Sequence, residues 1–376
     1  MPDSGLAQMS NATLVSAIVL YAVAMLAYAC DFAFGRRSSA ATAGSKPERV
    51  ATVALVGAAA GPDLSGHAFP ADPADPSELA DLDLDAVGGP SGSAGSAAAG
   101  SGSGQGAGVA AGALQGRARS RWPEGVWVRA AFALTCAGLA LQLFAIATRG
   151  IAEHRVPWGN MYEFIAAITC AAVIVLVLAS VRFRAYFTGL FVLLPVVLAL
   201  AVDVVVIYTP VGALVPALQS YWIAIHVTGM IIAIGMYVFG AVVTVLYLLV
   251  ARHERRVAAG EIPAAGGVLA QLPGSTLLDR LSYRTILFAF PAWTFAVIAG
   301  AIWADHAWGR YWGWDPKETW SFITWLVYAA YLHARATAGW RGRRAAYIQL
   351  FGFACLMFNL VGVNLWITGL HSYAGL

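Results

Sequence analysis

Tyr221 to Val250 reads YWIAIHVTGMIIAIGMYVFGAVVTVLYLLV and contains no Asp, Glu, Lys or Arg. About 20 apolar residues suffice to cross a bilayer core as a helix, so this stretch reads as a lipid-spanning helix that carries one imidazole, His226. Outward from it, comparable runs fall at about 12–34, 126–148, 159–181, 185–207, 286–304, 319–336 and 345–370, which with 222–250 makes eight candidate spans. Pro195 in the fourth run is compatible with a kinked membrane helix whose neighbours satisfy the freed carbonyl. Of the 376 residues 59% are hydrophobic and 11% charged, outside the range of soluble domains. The expected fold is all-α, a polytopic membrane bundle of about eight helices.

Basic residues near helix ends mark the cytoplasmic side. One alternate set of connections holds Arg36, Arg37, Arg182, Arg184, Arg252, Arg255, Arg256, Arg280, Arg284, Arg335, Arg341, Arg343 and Arg344. The opposite set holds Arg149, Arg155, Arg310 and Lys317. The first set is assigned to the cytoplasm, which puts both termini and the loop from about Trp303 to Thr319 outside. The net charge of +3 thus reports topology and gives no case for nucleic-acid binding.

Three regions follow: residues 1–37 with the first span, a linker at 38–120, and a membrane domain at 121–376. The linker is rich in Gly, Ala and Ser, a composition that buries too little apolar surface to offset its ordering entropy, and is expected to be disordered in the cytoplasm. The first span lacks a basic leader and a small-residue cleavage site and reads as a retained anchor. Leu277, Leu278, Leu281 and Ile286 suggest an amphipathic surface helix before the sixth span. Cys30, Cys136, Cys170 and Cys355 all lie in apolar runs without a C-x-x-C pair and read as structural thiols.

Trp303, Trp308, Trp312, Trp314, Trp320 and Trp325 are six of the chain's 13 tryptophans. An interfacial aromatic belt accounts for Trp320 and Trp325 on the following helix. It accounts poorly for Trp308, Tyr311, Trp312 and Trp314, which crowd one loop with Gly309 and Gly313 between them. Flat side chains separated by glycines suit a platform for a flat ligand. Asp315-Pro316-Lys317-Glu318 reads as a capping-box helix start, while Arg310 and Lys317 are placed to meet ligand carboxylates or to anchor at the interface. His226, one turn into the fifth span, and His371, after the eighth, fall at the depth of this loop and make a bis-imidazole iron site plausible. His333 lies within the seventh span near its cytoplasmic end, where an ionisable group is a functional candidate. No nucleophile or general base stands out, so no catalytic residue is assigned.

The string Trp308-Gly309-Arg310-Tyr311-Trp312-Gly313-Trp314-Asp315-Pro316-Lys317-Glu318 resembles the WWD motif of the haem-handling protein family, in its CcsA or ResC form of System II cytochrome c biogenesis. Asn160 to Glu163, the Tyr221-Trp222 entry to His226, and the ending Gly369-Leu370-His371 extend the resemblance over about Gly125 to Leu376. It implies haem b as cofactor, with His226 and His371 as axial ligands, His333 at an inner haem site, and Trp308, Tyr311, Trp312, Trp314 and Asp315 as the platform. It also implies a ResB or CcsB-type membrane partner, apocytochrome c with its CxxCH segment as substrate, and the bacterial plasma membrane as location. The chain is then a subunit of a holocytochrome c synthase that attaches haem to the substrate cysteines. The same residues suit a haem exporter or chaperone, and a b-type haem electron-transfer subunit is the reading from another class.

Overall fold

The structure, a computed structural model, describes residues 4–35, 125–212, 216–263 and 267–371. The linker expected at 38–120 lies outside the described residues. Among the described residues the chain is helical with no strand. Helix α1 covers Ser4–Cys30, α2 Val126–Glu153, α3 Met161–Phe183, α4 Gly189–Val202, α5 Tyr221–Ala258, α6 Ser275–Trp308, α7 Pro316–Thr337, α8 Arg343–Met357 and α9 Val363–Trp366. Five-residue π-helical turns extend α4 at Asp203–Ile207 and join α8 to α9 at Phe358–Gly362.

Seven of the eight expected spans are long and apolar enough to cross a bilayer, so the chain is a multi-pass membrane protein. The remaining segment, α7, has 22 residues, enough for about 33 Å of helix, but Lys317, Glu318, His333 and Arg335 dilute its apolarity. The expected surface helix at 277–286 is corrected: α6 is continuous from Ser275 to Trp308, with Leu278, Leu281 and Ile286 buried in the core. The spacing that suggested an interfacial face is the buried stripe of the spanning helix's own first turns. Pro291 lies inside α6 and Pro195 inside α4 without ending either helix.

Helix α5 packs most extensively on α6, α1 on α2, and α3 bridges toward α5. Small residues set the α5–α6 approach: a Cβ on Gly229 would fall 2.9 Å from Cβ of Ala296. Side-chain volume at either position would push the backbones apart, as at other close membrane-helix crossings. One buried cluster joins α1 to α4 with part of α5. A second lies among α3, α5, α6, α7 and α8 around Tyr237, Trp293 and Tyr328. The second cluster carries the site.

Candidate functional site

The starts of α3, α5 and α7 converge with the ends of α6 and α9 around a cavity of about 1120 Å³, counted with its mouth. His226, His371, Trp308, Tyr311, Trp312 and Lys317 all line it. Trp314 and Arg310 do not belong to the lining. Trp314 is 65% exposed and turns its ring edge-on to Phe322 at 6.0 Å, whereas Arg310 reaches back to Glu318 at 3.7 Å.

Each imidazole is fixed by its Nδ1. His226 Nδ1–H donates to the carbonyl of Ala296 at 2.7 Å. This is possible because α6 carries Ala296 and Gly300 where α5 meets it, and a Cβ on Gly300 would stand 2.6 Å from the imidazole. The ring lies parallel to the indole of buried Trp303, with centroids 6.0 Å apart and planes 7° apart. Trp303 is held by its own Nε1–H, which donates to the carbonyl of Ala217 at 3.0 Å.

His371 Nδ1–H donates to Oδ2 of Asp315 at 2.8 Å, and the N–H of Leu370 donates to Oδ1 of the same carboxylate at 2.8 Å. Gly369 packs against Asp315 so closely that a Cβ there would meet Oδ1 at 2.8 Å. Burial raises the Asp315 pKa, but the hydrogen bonds from His371 and Leu370 outweigh it and hold the carboxyl below its ordinary value. A depressed folded-state pKa means this anchor is complete above the unfolded value of about 3.9 and is lost only as pH falls below it. The expected capping box is present, with Glu318 Oε2 accepting from the N–H groups of Asp315 at 3.1 Å and Gly313 at 2.7 Å. Asp315 therefore ends the loop, starts α7 and orients His371. The last role is not visible in the local sequence.

In both rings Nδ1 is the donor, so in the neutral imidazole Nε2 carries the lone pair. That is the arrangement of metal-binding histidines, whose second nitrogen is tied to a carbonyl or carboxylate. Among the described residues no group of three or more His, Cys, Asp or Glu side chains is placed to hold a metal ion. Two imidazoles beside an indole-lined cavity instead suit a flat ligand that brings its own equatorial donors. Trp303 also meets His371 edge-on at 5.7 Å, and Trp308 meets it at 4.9 Å, so one aromatic group touches both histidines.

The cavity wall contains residues the sequence reading did not select, including Trp158, Trp293, Trp303, Ser321 and Asn359. Lys317 Nζ donates to the carbonyl of Asn359 at 2.7 Å, which belongs to the π-helical turn Phe358–Gly362. A π turn loosens the ordinary ladder and is often found at functional positions. Trp314 at φ 59° is among the described residues that occupy the left-handed region without being glycine, a conformation costing about 1–3 kcal/mol. The loop is thus held in place by the cap on its far side.

Trp158 and Asn160 enter the wall from a loop braced by buried charge. The Glu163 carboxylate accepts from Arg149 Nε at 3.0 Å, Arg155 Nη1 at 2.9 Å, Gly159 N–H at 2.7 Å and Asn160 Nδ2 at 2.8 Å. Glu153 adds contacts to both guanidiniums, at 3.5 Å from Arg149 and 2.6 Å from Arg155. The side chains of Glu153 and Glu163 are fully buried.

His333 does not approach the cavity. It is exposed on α7, about 26 Å along the helix from Pro316 by helical rise. Phe322, Leu326 and Ala330 share its exposed stripe. Beside it, Arg335 forms a two-pronged pair with Asp279 at 2.8 Å for each contact.

The family model described as "Cytochrome C assembly protein" matches residues 158–371, and its two ends, Trp158 and His371, both lie in the cavity wall. The chain is 38% identical over 248 residues to the cytochrome c biogenesis protein CcsA of Guillardia theta, covering 61% of this chain and 81% of that protein. It is 36% identical over 278 residues to CcsA of Gloeobacter violaceus, covering 61% and 82%. To CcsA of Gloeothece citriformis it is 33% identical over 300 residues, covering 66% and 91%.

Proposed function

Because the chain belongs to the cytochrome c assembly protein family, in its CcsA form, we propose that it takes part in cytochrome c biogenesis by holding haem b in the cavity at the loop end and presenting it to apocytochrome c. The observation that carries this reading is the pair of Nδ1-anchored imidazoles, His226 on Ala296 and His371 on Asp315, facing one indole-lined cavity. His226 and His371 are the axial ligands, Trp308, Tyr311 and Trp312 the aromatic wall, and Lys317 the propionate contact. Trp314, Asp315 and Arg310 act behind that wall, Trp314 by shaping the loop, Asp315 through His371 and Arg310 through Glu318.

The bound haem supplies two vinyl groups, to which the two substrate cysteine thiols add. The chain's contribution would be position: His226 and His371 would hold the group between them, and the indoles of the wall would orient it and limit access of water. Holding both reacting pairs in register is worth a large part of such a barrier. In this reading the loop end is extracytoplasmic in a bacterial plasma membrane, residues 121–376 form the haem-handling domain, and His333 contributes to an inner haem site. A ResB or CcsB-type membrane partner packs on the exposed α7 stripe there and completes that site. The two subunits together act as the holocytochrome c synthase.

The experiment is co-expression with the partner and an apocytochrome in a bacterial host stripped of other cytochrome c assembly genes, followed by haem staining of the product. Covalent haem is expected only when both membrane subunits are present, and its absence defeats the synthase reading. Trp312→Ala is expected to lose about 2 kcal/mol of haem binding, roughly 30-fold in affinity. Unchanged haem content in that variant favours an electron-transfer subunit instead. Gly300→Ala keeps His226 but drives a methyl group into its ring. A fall in haem affinity of about 10- to 100-fold, the usual effect of disturbing a ligand's support, is expected in a titration of the purified complex.

A further inference from the structure

The two imidazoles face one cavity, but their Nδ1 protons go to different kinds of acceptor. His226 donates to a neutral backbone carbonyl, and His371 donates to a carboxylate. A carboxylate draws the Nδ1 proton more strongly, leaves more electron density on Nε2 and makes the imidazole a stronger metal ligand. The Asp315 carboxylate is also pinned, since it receives the Leu370 N–H and starts α7.

We propose that the pair is unequal by construction: His371, backed by Asp315, is the ligand the chain retains, and His226 is the ligand it yields to an incoming imidazole of the substrate. The proposal rests on the bis-imidazole reading above. It assigns Asp315 as a positioning and tuning residue that acts through His371. In the exchange the iron bond to His226 Nε2 breaks and one to the incoming imidazole forms. No electron is transferred, and the Nδ1 proton stays on His226, still donated to the Ala296 carbonyl.

The surroundings of each ring support the same order. His226 lies flat on Trp303, so the ring keeps a stacked resting place and its bond to Ala296 whether or not Nε2 is in use. His371 meets Trp303 and Trp308 in T-shaped geometry, at interplanar angles of 60° and 72°. Its place in a turn after α9 does not make it the looser group, because Gly369, Leu370 and His371 all close on Asp315.

The test uses the full chain purified with its membrane partner, loaded with haem and reduced. Carbon monoxide, the probe, displaces the weaker axial ligand, and resonance Raman after photolysis reads the iron–imidazole stretch of the ligand that stays. Asp315→Asn keeps an N-cap residue of equal quality and an oxygen acceptor while removing the charge. The stretch is expected to fall in frequency in Asp315→Asn. A frequency that does not respond means His226 is the ligand retained, and overturns the proposal.

A second measurement guards against a misfolded loop. His226→Gly is expected to retain more haem than His371→Gly, and equal or reversed retention overturns the asymmetry. If haem binding is instead indifferent to the loss of both histidines, the bis-imidazole reading itself fails and the proposal falls with it.

Discussion

The variant His226→Ala/His371→Ala, purified with the proposed ResB or CcsB-type partner, is expected to show no haem absorbance attributable to the loop-end cavity and to support no cytochrome c maturation. In the proposed bis-imidazole site each single change removes one axial bond and leaves the other ring to hold the iron, and the double change leaves only stacking and propionate contacts. His226 bonds a backbone carbonyl and His371 the Asp315 carboxylate behind the cavity wall. His333→Ala is expected to lower total haem in the two-subunit complex while sparing the loop-end signal. Spectra recorded with and without the partner separate the two pools. Wild-type absorbance and maturation in the double variant would show that the ligand assignment is wrong.

The largest effect on stability is expected from Glu163→Ala. The change leaves Arg149 and Arg155, whose side chains are 3% and 14% exposed, without the carboxylate they share. Removing one member of a buried ion pair costs about 3–5 kcal/mol because the other charge stays buried and uncompensated. Glu153 contacts both guanidiniums and offsets part of the loss. The expected outcome is a much lower denaturation midpoint in detergent, together with weakened haem binding, because the loop carrying Trp158 and Asn160 loses its brace. Glu163→Gln, which keeps hydrogen bonds but not charge, is expected to fall between. A midpoint within error of wild type for Glu163→Ala would mean that the network does not hold the loop.

The membrane helices were legible because their signal is one-dimensional: Tyr221 to Val250 announces a span by length and absence of charge alone. α7 was legible by the same rule only to a coarse approximation, since polar residues at both its ends make it the least apolar of the set. The join of residues 275–285 to the rest of α6 was not legible. A buried stripe and an interfacial stripe have the same spacing, and only the neighbours of Leu278 and Leu281 decide between them.

At the site, His226, His371, Trp308, Tyr311 and Trp312 were selected from sequence and line one cavity. Trp314 was selected for its ring, but its backbone at φ 59° turns that ring outward to Phe322. Trp303 stands in the tryptophan string with nothing in its spacing to mark it for the site, although it touches both imidazoles. Its position at the end of α6 rather than in the loop hid this. Asp315 shows the limit most clearly. Its cap is encoded within four residues, while its bond to His371 depends on where a chain 56 positions further on returns.

That separation also sets an order of assembly. The Asp315 cap is local and forms as α7 forms, but its second task waits for the end of α9. At about 5–20 residues per second of synthesis, His371 follows Asp315 by about 3 to 11 s. During that interval the aromatic loop stands complete on one side with no His371 opposite. On the proposed bis-imidazole reading, a nascent chain cannot hold haem between the two rings until its last described helix is in place, and cofactor capture becomes a report that the bundle has closed.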